Sequence, residues 1–208
     1  PFLILGSRKS AAMLDPSHSG IGMALIFFNA IFNQSSAKIV VIPVKNHENN
    51  DVVVSNVIGG VDSEGNRSGL SCLEIAESKF GLKPGIIVCP GYSSFDPVRH
   101  AMAKIAEKLG AFCYCDIADG TIQSVAAAGR NNTYKNCMML YPSVQIYVPE
   151  LGRNILVPPS ALAAGLRVKI DENIGWNRVL SNNMIHSVSA VSKAVSYTHL
   201  TLPTRRGV

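Results

Sequence analysis

The chain has 208 residues, of which 47% are hydrophobic and 16% are charged, and this balance predicts a folded protein with a sizeable core. The net charge of +5 comes from singly scattered Lys and Arg residues, a pattern that disfavours nucleic-acid binding. No apolar run approaches the roughly 20 residues that span a bilayer, so membrane insertion is not expected.

The first predicted elements are a strand, a helix and a second strand. Residues 2–5 form a short apolar run, and apolar side chains recur at helical spacing over residues 20–33. Residues 38–44 are mostly β-branched, as in a strand that is covered on both faces, and Pro43 marks its end. A polar turn is predicted over residues 46–51.

An exposed loop and a helix are predicted next. Residues 59–69 are rich in Gly, Asp, Ser and Asn, and this composition predicts a solvent-exposed or intersubunit loop that tolerates insertion. Ser71 and Glu74 have the spacing of a capping box, and Gly81 stands where a helix C-cap belongs. We therefore expect a helix over residues 71–80.

The middle of the chain alternates strands with helices. Strands are predicted over residues 86–89, 112–117 and 137–141. One helix is expected to begin with Asp96 as N-cap and Pro97 at its first position and to stop at Gly110. Asp119 is expected to cap a second helix that runs to Ala128. The alternation predicts an α/β fold, with a mostly parallel sheet and helices on both of its faces.

The pattern changes after residue 142, so we predict a core domain over residues 1–142 and a second region over residues 143–195. Two apolar runs separated by a turn predict a short β-hairpin over residues 143–157. A helix is expected from Pro158 to Arg167.

The single tryptophan, Trp176, lies in a predicted polar loop over residues 171–183. A lone Trp of this kind can stack on a ligand. With Gly175 and Asn177 beside it, anchoring the loop to its own domain or to a partner chain is favoured.

Two segments offer weak signals of an enzyme. The GSRKS sequence of residues 6–10 follows a strand but lacks the glycine spacing of a phosphate-binding loop. Cys89 stands between a strand and a helix, where an α/β hydrolase keeps its nucleophile, and His100 is the histidine nearest to it in sequence. The GxSxG pattern is absent, and Pro90 with Gly91 is ordinary turn sequence. We assign no catalytic or cofactor-binding residue.

No metal ligands are assigned either. The histidines are dispersed, without HxH or HExxH spacing, at His18, His47, His100, His186 and His199. Asp62 and Glu64 lie in the polar loop, where a carboxylate pair would be solvated rather than tuned for acid–base chemistry.

The cysteines are interpreted as buried free thiols, because apolar residues flank most of them, and this fits a chain that folds in a reducing cytoplasm. They are Cys72, Cys89, Cys113, Cys115 and Cys137. Cys113 and Cys115 would share one face of a strand, and a metal site there would need further converging ligands.

Two stretches carry motifs in a specific order. Residues 55–91 read SNVIGGVDSEGNRSGLSCLEIAESKFGLKPGIIVCPG, with an Ile-Gly pair, a Glu-Gly-Asn turn, Ser-Gly-Leu, Lys-Pro and Pro-Gly. Residues 165–182 read GLRVKIDENIGWNRVLSN, with Gly-Trp, a basic residue and Leu-Ser-Asn. Together, over about residues 1–195, these motifs resemble the contractile tail sheath proteins of temperate phages and of their pyocin-like relatives.

The resemblance implies a structural protein and not an enzyme: a subunit that polymerises around a tail tube and contracts to drive it through a host envelope. Implied partners are other sheath subunits, the tube protein and the baseplate, without a cofactor. The implied location is the virion tail, after assembly in the host cytoplasm. Family subunits also exchange arms that add strands to neighbouring sheets.

Two alternatives stay open. One is an α/β enzyme or nucleotide-binding domain, which should have a deep polar pocket at the carboxyl ends of the strands near Ile86 and Phe112. The other is an unrelated assembly protein, such as a baseplate component.

The two ends of the chain suggest an internal fragment, because it begins at Pro1 without Met and the resemblance stops near Val195. Residues 196–208, SYTHLTLPTRRGV, resemble a translated sequencing adapter that recurs at the ends of unrelated gene fragments. We expect this segment to be a non-native tail that does not pack on the domain.

Overall fold

The computed structural model describes residues 3–6, 23–148 and 151–193. The strands in these ranges are β1 (Leu3–Leu5), β2 (Ile39–Val41), β3 (Gly60–Val61), β4 (Arg67–Ser68), β5 (Ile86–Val88), β6 (Phe112–Asp116), β7 (Cys137–Leu140), β8 (Val144–Val148), β9 (Arg153–Val157) and β10 (Val188–Val191). The helices are α1 (Met23–Phe32), α2 (Asn50–Ile58), α3 (Ala76–Phe80), α4 (Asp96–Leu109), α5 (Ile122–Arg130) and α6 (Pro159–Asn173), and a 3-10 helix (Gly69–Ile75) precedes α3. The expected non-native tail lies outside the described residues.

A parallel sheet in the order β5-β6-β7 forms the centre of the first core. The middle strand, β6, has four of its five residues buried. Helix α4 packs against it through Val98, Met102 and Ala106, which recur every four residues and are fully buried. Helix α2 and the 3-10 helix complete this core. The predicted α/β class and the parallel pairing of these strands are confirmed.

The other sheets of the described chain are antiparallel, so the parallel part is smaller than the sequence pattern predicts. Strands β8 and β9 form the predicted hairpin, and β10 adds to it along β8. Strand β10 was not predicted. This sheet packs with helices α1 and α6 to form the second core.

Helix α6 joins the two cores, because it packs against α1 as well as against β5 and β6. Gly165 makes the approach to α1 close: a Cβ atom there would lie 2.6 Å from the carbonyl oxygen of Ile31. The helix runs to Asn173, beyond the predicted end at Arg167, and so takes in the start of the predicted polar loop. None of the described helices is both long and apolar enough to cross a bilayer.

Residues 46–49 form the predicted polar turn, but helix α2 begins at Asn50, inside the predicted end of that turn, and was not predicted. Asn49 caps it by accepting a hydrogen bond from the backbone N–H of Asp51. Its β-branched sequence, NDVVVSNVI, has modest helix propensity. Val53 and Val57, four residues apart, are buried in the first core, and this tertiary packing stabilises the helix.

Three predicted helix starts are wrong in detail. The first half of the predicted 71–80 helix is 3-10, since the α-helix begins only at Ala76, and Glu74 forms ion pairs with Arg67 and Lys108 instead of closing a capping box. Phe95 occupies the N-cap of α4, while the Asp96 carboxylate pairs with Arg99. Thr121, not Asp119, caps α5 by accepting from the N–H of Ser124.

Candidate functional site

The enzyme signals do not come together in the described chain. Of the 6–10 segment only Gly6 is described. Cys89 is half-buried at the end of β5, and burial, together with the charge of Asp116, raises the pKa of its thiol to about 12. His100 is exposed on α4, with its ring against Tyr134 and its Nδ1 3.2 Å from the carbonyl oxygen of Asp96. The chemistry of an activated thiolate therefore has no support at Cys89.

The carboxyl end of β6 is filled by a buried hydrogen-bonded cluster of Ser93, Asp116 and Ser160. Ser93 Oγ and Ser160 Oγ each donate to Asp116 Oδ2 over 2.7 Å, and the N–H of Ser160 donates to Oδ1 over 2.9 Å. The N–H of Asp116 in turn donates to Ser93 Oγ. Burial raises the pKa of Asp116 above its usual range, against the effect of these hydrogen bonds. The cluster ties the start of α6 to the sheet.

Sequence reasoning did not identify this cluster. Its members are 23 and 44 residues apart, and only the fold brings them together. The histidines in the described ranges bond elsewhere: His47 with Asn49, His100 with Asp96, and His186 with Gln34 and Lys169. The cluster thus has two serines and a carboxylate, and no histidine of the described ranges supplies the imidazole that would activate a serine nucleophile.

An apolar groove of about 830 Å³ runs alongside β2 and β5. Aliphatic and aromatic side chains such as Phe27, Ile39, Val41, Ile86 and Val88 line much of it. An enzyme of this class was expected to have a polar pocket beyond the strand ends. The groove is lined mainly by apolar rather than polar side chains. The carboxyl end of β6, where such a pocket was expected, is occupied by Asp116 and its serine partners.

Three thiols meet inside the first core. The Sγ atoms of Cys113, Cys115 and Cys137 all lie within 4.8 Å of one another, and all three residues are buried. Hydrogen bonding with Cys113 and Cys115 lowers the pKa of Cys137, whereas hydrogen bonding with Cys113 and Cys137, together with burial, raises the pKa of Cys115. The cysteines in the described chain are free thiols, and all but Cys89 are buried, as predicted. The convergence of Cys137 on the other two was not predicted.

The polar loop is an exposed β-hairpin built on β3 and β4. Residues 60–66 are exposed, which confirms the predicted exposure for most of the loop. Asp62 organises its tip, since Oδ1 accepts from the N–H groups of Glu64 and Asn66 and Oδ2 accepts from Asn66 Nδ2. These hydrogen bonds, that of the Asn66 side chain first, lower the pKa of Asp62. Asp62 therefore acts as a turn-forming residue.

The segment of residues 174–185 presents apolar side chains to solvent. Trp176 is 86% exposed, and the other exposed apolar residues are Ile174, Val179, Met184 and Ile185. The interpretation that Trp176 anchors the loop to its own domain is wrong. Anchoring to a partner chain stays a prediction.

Hydrogen bonds from the side chains of Arg167 and Gln34 hold the backbone of this segment in place, while its apolar side chains are exposed. Arg167 donates to the carbonyl oxygens of Gly175 and Arg178 and is itself paired with Asp171. Gln34, which is buried, exchanges two hydrogen bonds with the backbone of His186, each 2.9 Å long. The segment is thus an ordered apolar surface, a common property of protein interfaces.

Comparison with known proteins supplies close relatives. The chain is 33% identical over 195 residues to a prophage major tail sheath protein of Pseudomonas aeruginosa, a match covering 94% of this chain and 50% of that protein. It is 33% identical over 173 residues to the tail sheath protein of Escherichia phage P2, covering 80% of this chain and 43% of that protein. The chain therefore spans about half the length of the curated relatives it matches. No protein-family model matches the sequence.

Solved structures give the same fold. The helical sheath of the anti-feeding prophage in its contracted state matches with a TM-score of 0.62 at 19% identity, over 94% of this chain and 48% of that one. A chain of the baseplate of the same particle matches with a TM-score of 0.64 at 21% identity, over 94% and 48%.

Proposed function

We propose that this chain, which is similar to phage and prophage tail sheath proteins, serves as part of a sheath subunit that polymerises around the tail tube and contracts. Contraction would drive the tube through the host envelope. The observation that carries the proposal is the 33% identity to a prophage tail sheath protein along 94% of the chain.

The described architecture supports a structural rather than an enzymatic role. The carboxyl end of β6 is occupied by Asp116 and its serine partners, and no described histidine bonds to them. Cys113 and Cys115 face α4, and Asp116 bonds to the start of α6, so we propose helices on both faces of the parallel sheet. Such a subunit moves as a rigid body between alternative interfaces.

We propose that the 174–185 segment contacts a neighbouring sheath subunit. Trp176 is large, apolar and almost fully exposed on a backbone that Arg167 and Gln34 already hold in place. Burying an exposed Trp on a preordered loop gives much binding energy at a small cost in conformational entropy. The proposed further partners are the tube protein and the baseplate, within a virion tail assembled in the host cytoplasm.

The experiment is deletion of the gene that encodes this chain from its phage or prophage, followed by electron microscopy of the tails. We expect bare tubes without sheath, and restoration of sheathed, contractile tails when the intact gene is supplied on a plasmid. A matched control supplies the same gene with a stop codon within the region that encodes this chain. Normal sheaths in the deletion strain would contradict the proposal.

A further inference from the structure

Two neighbouring parallel strands bring three cysteines to one point of the first core. Cys113 and Cys115 are two residues apart on β6 and therefore project from the same face. Cys137 on β7 is the direct register partner of Cys113. The Sγ atoms of Cys115 and Cys137 are 3.4 Å apart, and all three sulfur atoms lie within 4.8 Å of one another.

These distances suit a metal ion with three sulfur ligands. Metal–thiolate bonds are about 2.3 Å long, so the sulfur atoms of a planar three-coordinate site lie about 4 Å apart. The separation between Cys115 Sγ and Cys137 Sγ is 3.4 Å and the other two are at most 4.8 Å, so each sulfur pair lies within about 1 Å of that value or closer. Small movements of side chains on strands whose backbone is already paired would complete such a site.

The chemistry of the cluster selects a soft ion of low coordination number. Zinc takes four ligands in a structural site, and the three thiols have no fourth Cys, His, Asp or Glu beside them in the described chain. Cys113 and Cys115 are fully buried, which excludes water as an easy fourth ligand. Thiolates favour Cu(I) among the common metals, and Cu(I) is satisfied by two or three sulfur ligands.

A cation close to the cluster reduces the electrostatic cost of the site. Arg99 on α4 is buried, and its charge acts on Cys137. With Cu(I) bound to two thiolates and one thiol, the copper site would carry one negative charge, which the charge of Arg99, itself paired with the exposed Asp96, offsets in part. Each thiol that becomes a thiolate releases its proton to solvent, and the copper keeps its oxidation state.

We propose that Cys113, Cys115 and Cys137 form a binding site for a single soft, thiophilic metal ion of the Cu(I) type. The site is built from the core of the first sheet and does not depend on the role of the chain in a sheath. Strand β7 forms an edge of the three-stranded sheet, which offers the ion a local route of entry.

The test is an anaerobic titration of the purified chain with Cu(I) in competition with a colorimetric Cu(I) chelator. We expect one ion to be bound per chain, and at least a tenfold weaker affinity in Cys115→Ala and in Cys137→Ala. Cys72→Ala and Cys89→Ala are the matched controls, because neither thiol belongs to the cluster, and they should bind copper like the unmodified chain.

A second measurement separates loss of the site from loss of the fold. Circular dichroism should show each variant to be folded, and Cu(I) should raise the Tm of the unmodified chain but not that of a folded Cys115→Ala variant. If Cys115→Ala does not fold, the unmodified chain still tests the proposal. The proposal is wrong if this chain does not bind one Cu(I) ion or if Cu(I) does not raise its Tm. Unchanged copper affinity in a folded Cys115→Ala or Cys137→Ala variant would also overturn it.

Discussion

The buried carboxylate of Asp116 connects its own strand, β6, to the turn before α4 at Ser93 and to the start of α6 at Ser160. Its oxygens accept hydrogen bonds from Ser93 and from both the N–H and the hydroxyl of Ser160. Neither serine is exposed to solvent that could replace a lost partner. Removing the Asp116 side chain would therefore leave buried donors without an acceptor, and this loss should outweigh the relief of no longer burying a carboxylate.

Replacing Asp116 by Ala should lower the free energy of unfolding by about 2–4 kcal/mol, because two hydroxyls and one N–H lose their buried acceptor. Denaturant unfolding measures the change. Asp119→Ala is the control, since Asp119 is exposed and should change stability by less than about 0.5 kcal/mol. Equal stability of the two variants would contradict the assigned role.

The pH dependence of stability should report Glu74. Hydrogen bonding to Lys108, and the charges of Lys108 and Arg67, lower its pKa in the folded chain. A lowered pKa stabilises the fold above the unfolded pKa of about 4.3, and this contribution is lost as pH falls through the folded pKa. The stability difference between the unmodified chain and Glu74→Gln should thus be present at pH 7 and shrink below about pH 4.

Exposed Glu77 is the matched control on the next helical turn, and Glu77→Gln should change the free energy of unfolding at pH 7 by less than about 0.5 kcal/mol. A difference between Glu74→Gln and the unmodified chain that is the same at pH 7 and pH 3 would contradict the ion-pair explanation.

Side-chain partners were the least predictable property at the scale of residues. The Ser71 and Glu74 spacing predicted a capping box, but Arg67 and Lys108 compete for the carboxylate and the first turn is 3-10. Likewise Cys113 and Cys115 predicted a shared strand face, while Cys137 joined them only through strand pairing. A local pattern cannot specify a partner that the tertiary fold supplies.

Among the elements, the β3-β4 hairpin depends on the two glycines that close it. Gly59 and Gly69 have φ values of +61° and +54°, and each backbone packs against the other end of the loop. A Cβ atom would lie 2.0 Å from Ser68 O at Gly59 and 2.4 Å from Val57 O at Gly69. The Ile-Gly and Ser-Gly-Leu motifs of the sequence mark these two positions.

Gly59→Ala and Gly69→Ala should each lower the free energy of unfolding by about 2 kcal/mol or more, since both a strained backbone and a backbone clash result. Thermal unfolding of the purified variants measures this. Gly60→Ala, at the residue next to Gly59, is the control, because a Cβ atom on Gly60 would meet open space. Similar melting temperatures for the Gly59 and Gly60 variants would refute the account.

Periodicity predicted strands β1, β2 and β5 to β9 and helix α4, because apolar residues recur regularly in them. It did not predict α2, where Asn50–Ile58 is rich in valine, a β-branched residue of modest helix propensity. The helix forms because Val53 and Val57 contact the first core, and that contact is tertiary. The end of α6 was missed for a similar reason: Ile170, three residues beyond the predicted helix end at Arg167, is buried.

At the scale of the whole molecule, the 174–185 segment should separate folding from assembly. Trp176→Ser should change the stability of the isolated chain by less than about 0.5 kcal/mol, because the side chain is 86% exposed. In the intact gene, the same change should reduce the yield of sheathed tails at least tenfold, as expected for loss of an interface hot spot. The fraction of sheathed tails is counted by electron microscopy in the deletion strain that carries the variant gene on a plasmid.

Tyr147→Ser is the control, since Tyr147 is also more than half exposed but lies on β8, outside the segment. A normal yield of sheathed tails with Trp176→Ser, or an equal defect with Tyr147→Ser, would remove the segment from the proposed subunit contact.

Helix α6 has a mechanical consequence. It begins at the Asp116 cluster and ends where Arg167 holds the 174–185 segment, a span of 15 residues or about 22 Å. A force that a neighbouring molecule exerts on Trp176 would be transmitted through the helix to the hydrogen bonds between Ser160 and Asp116. The buried carboxylate of Asp116 is thus one of the points, beside the packing of α6 on α1, β5 and β6, at which such a load would reach the central sheet.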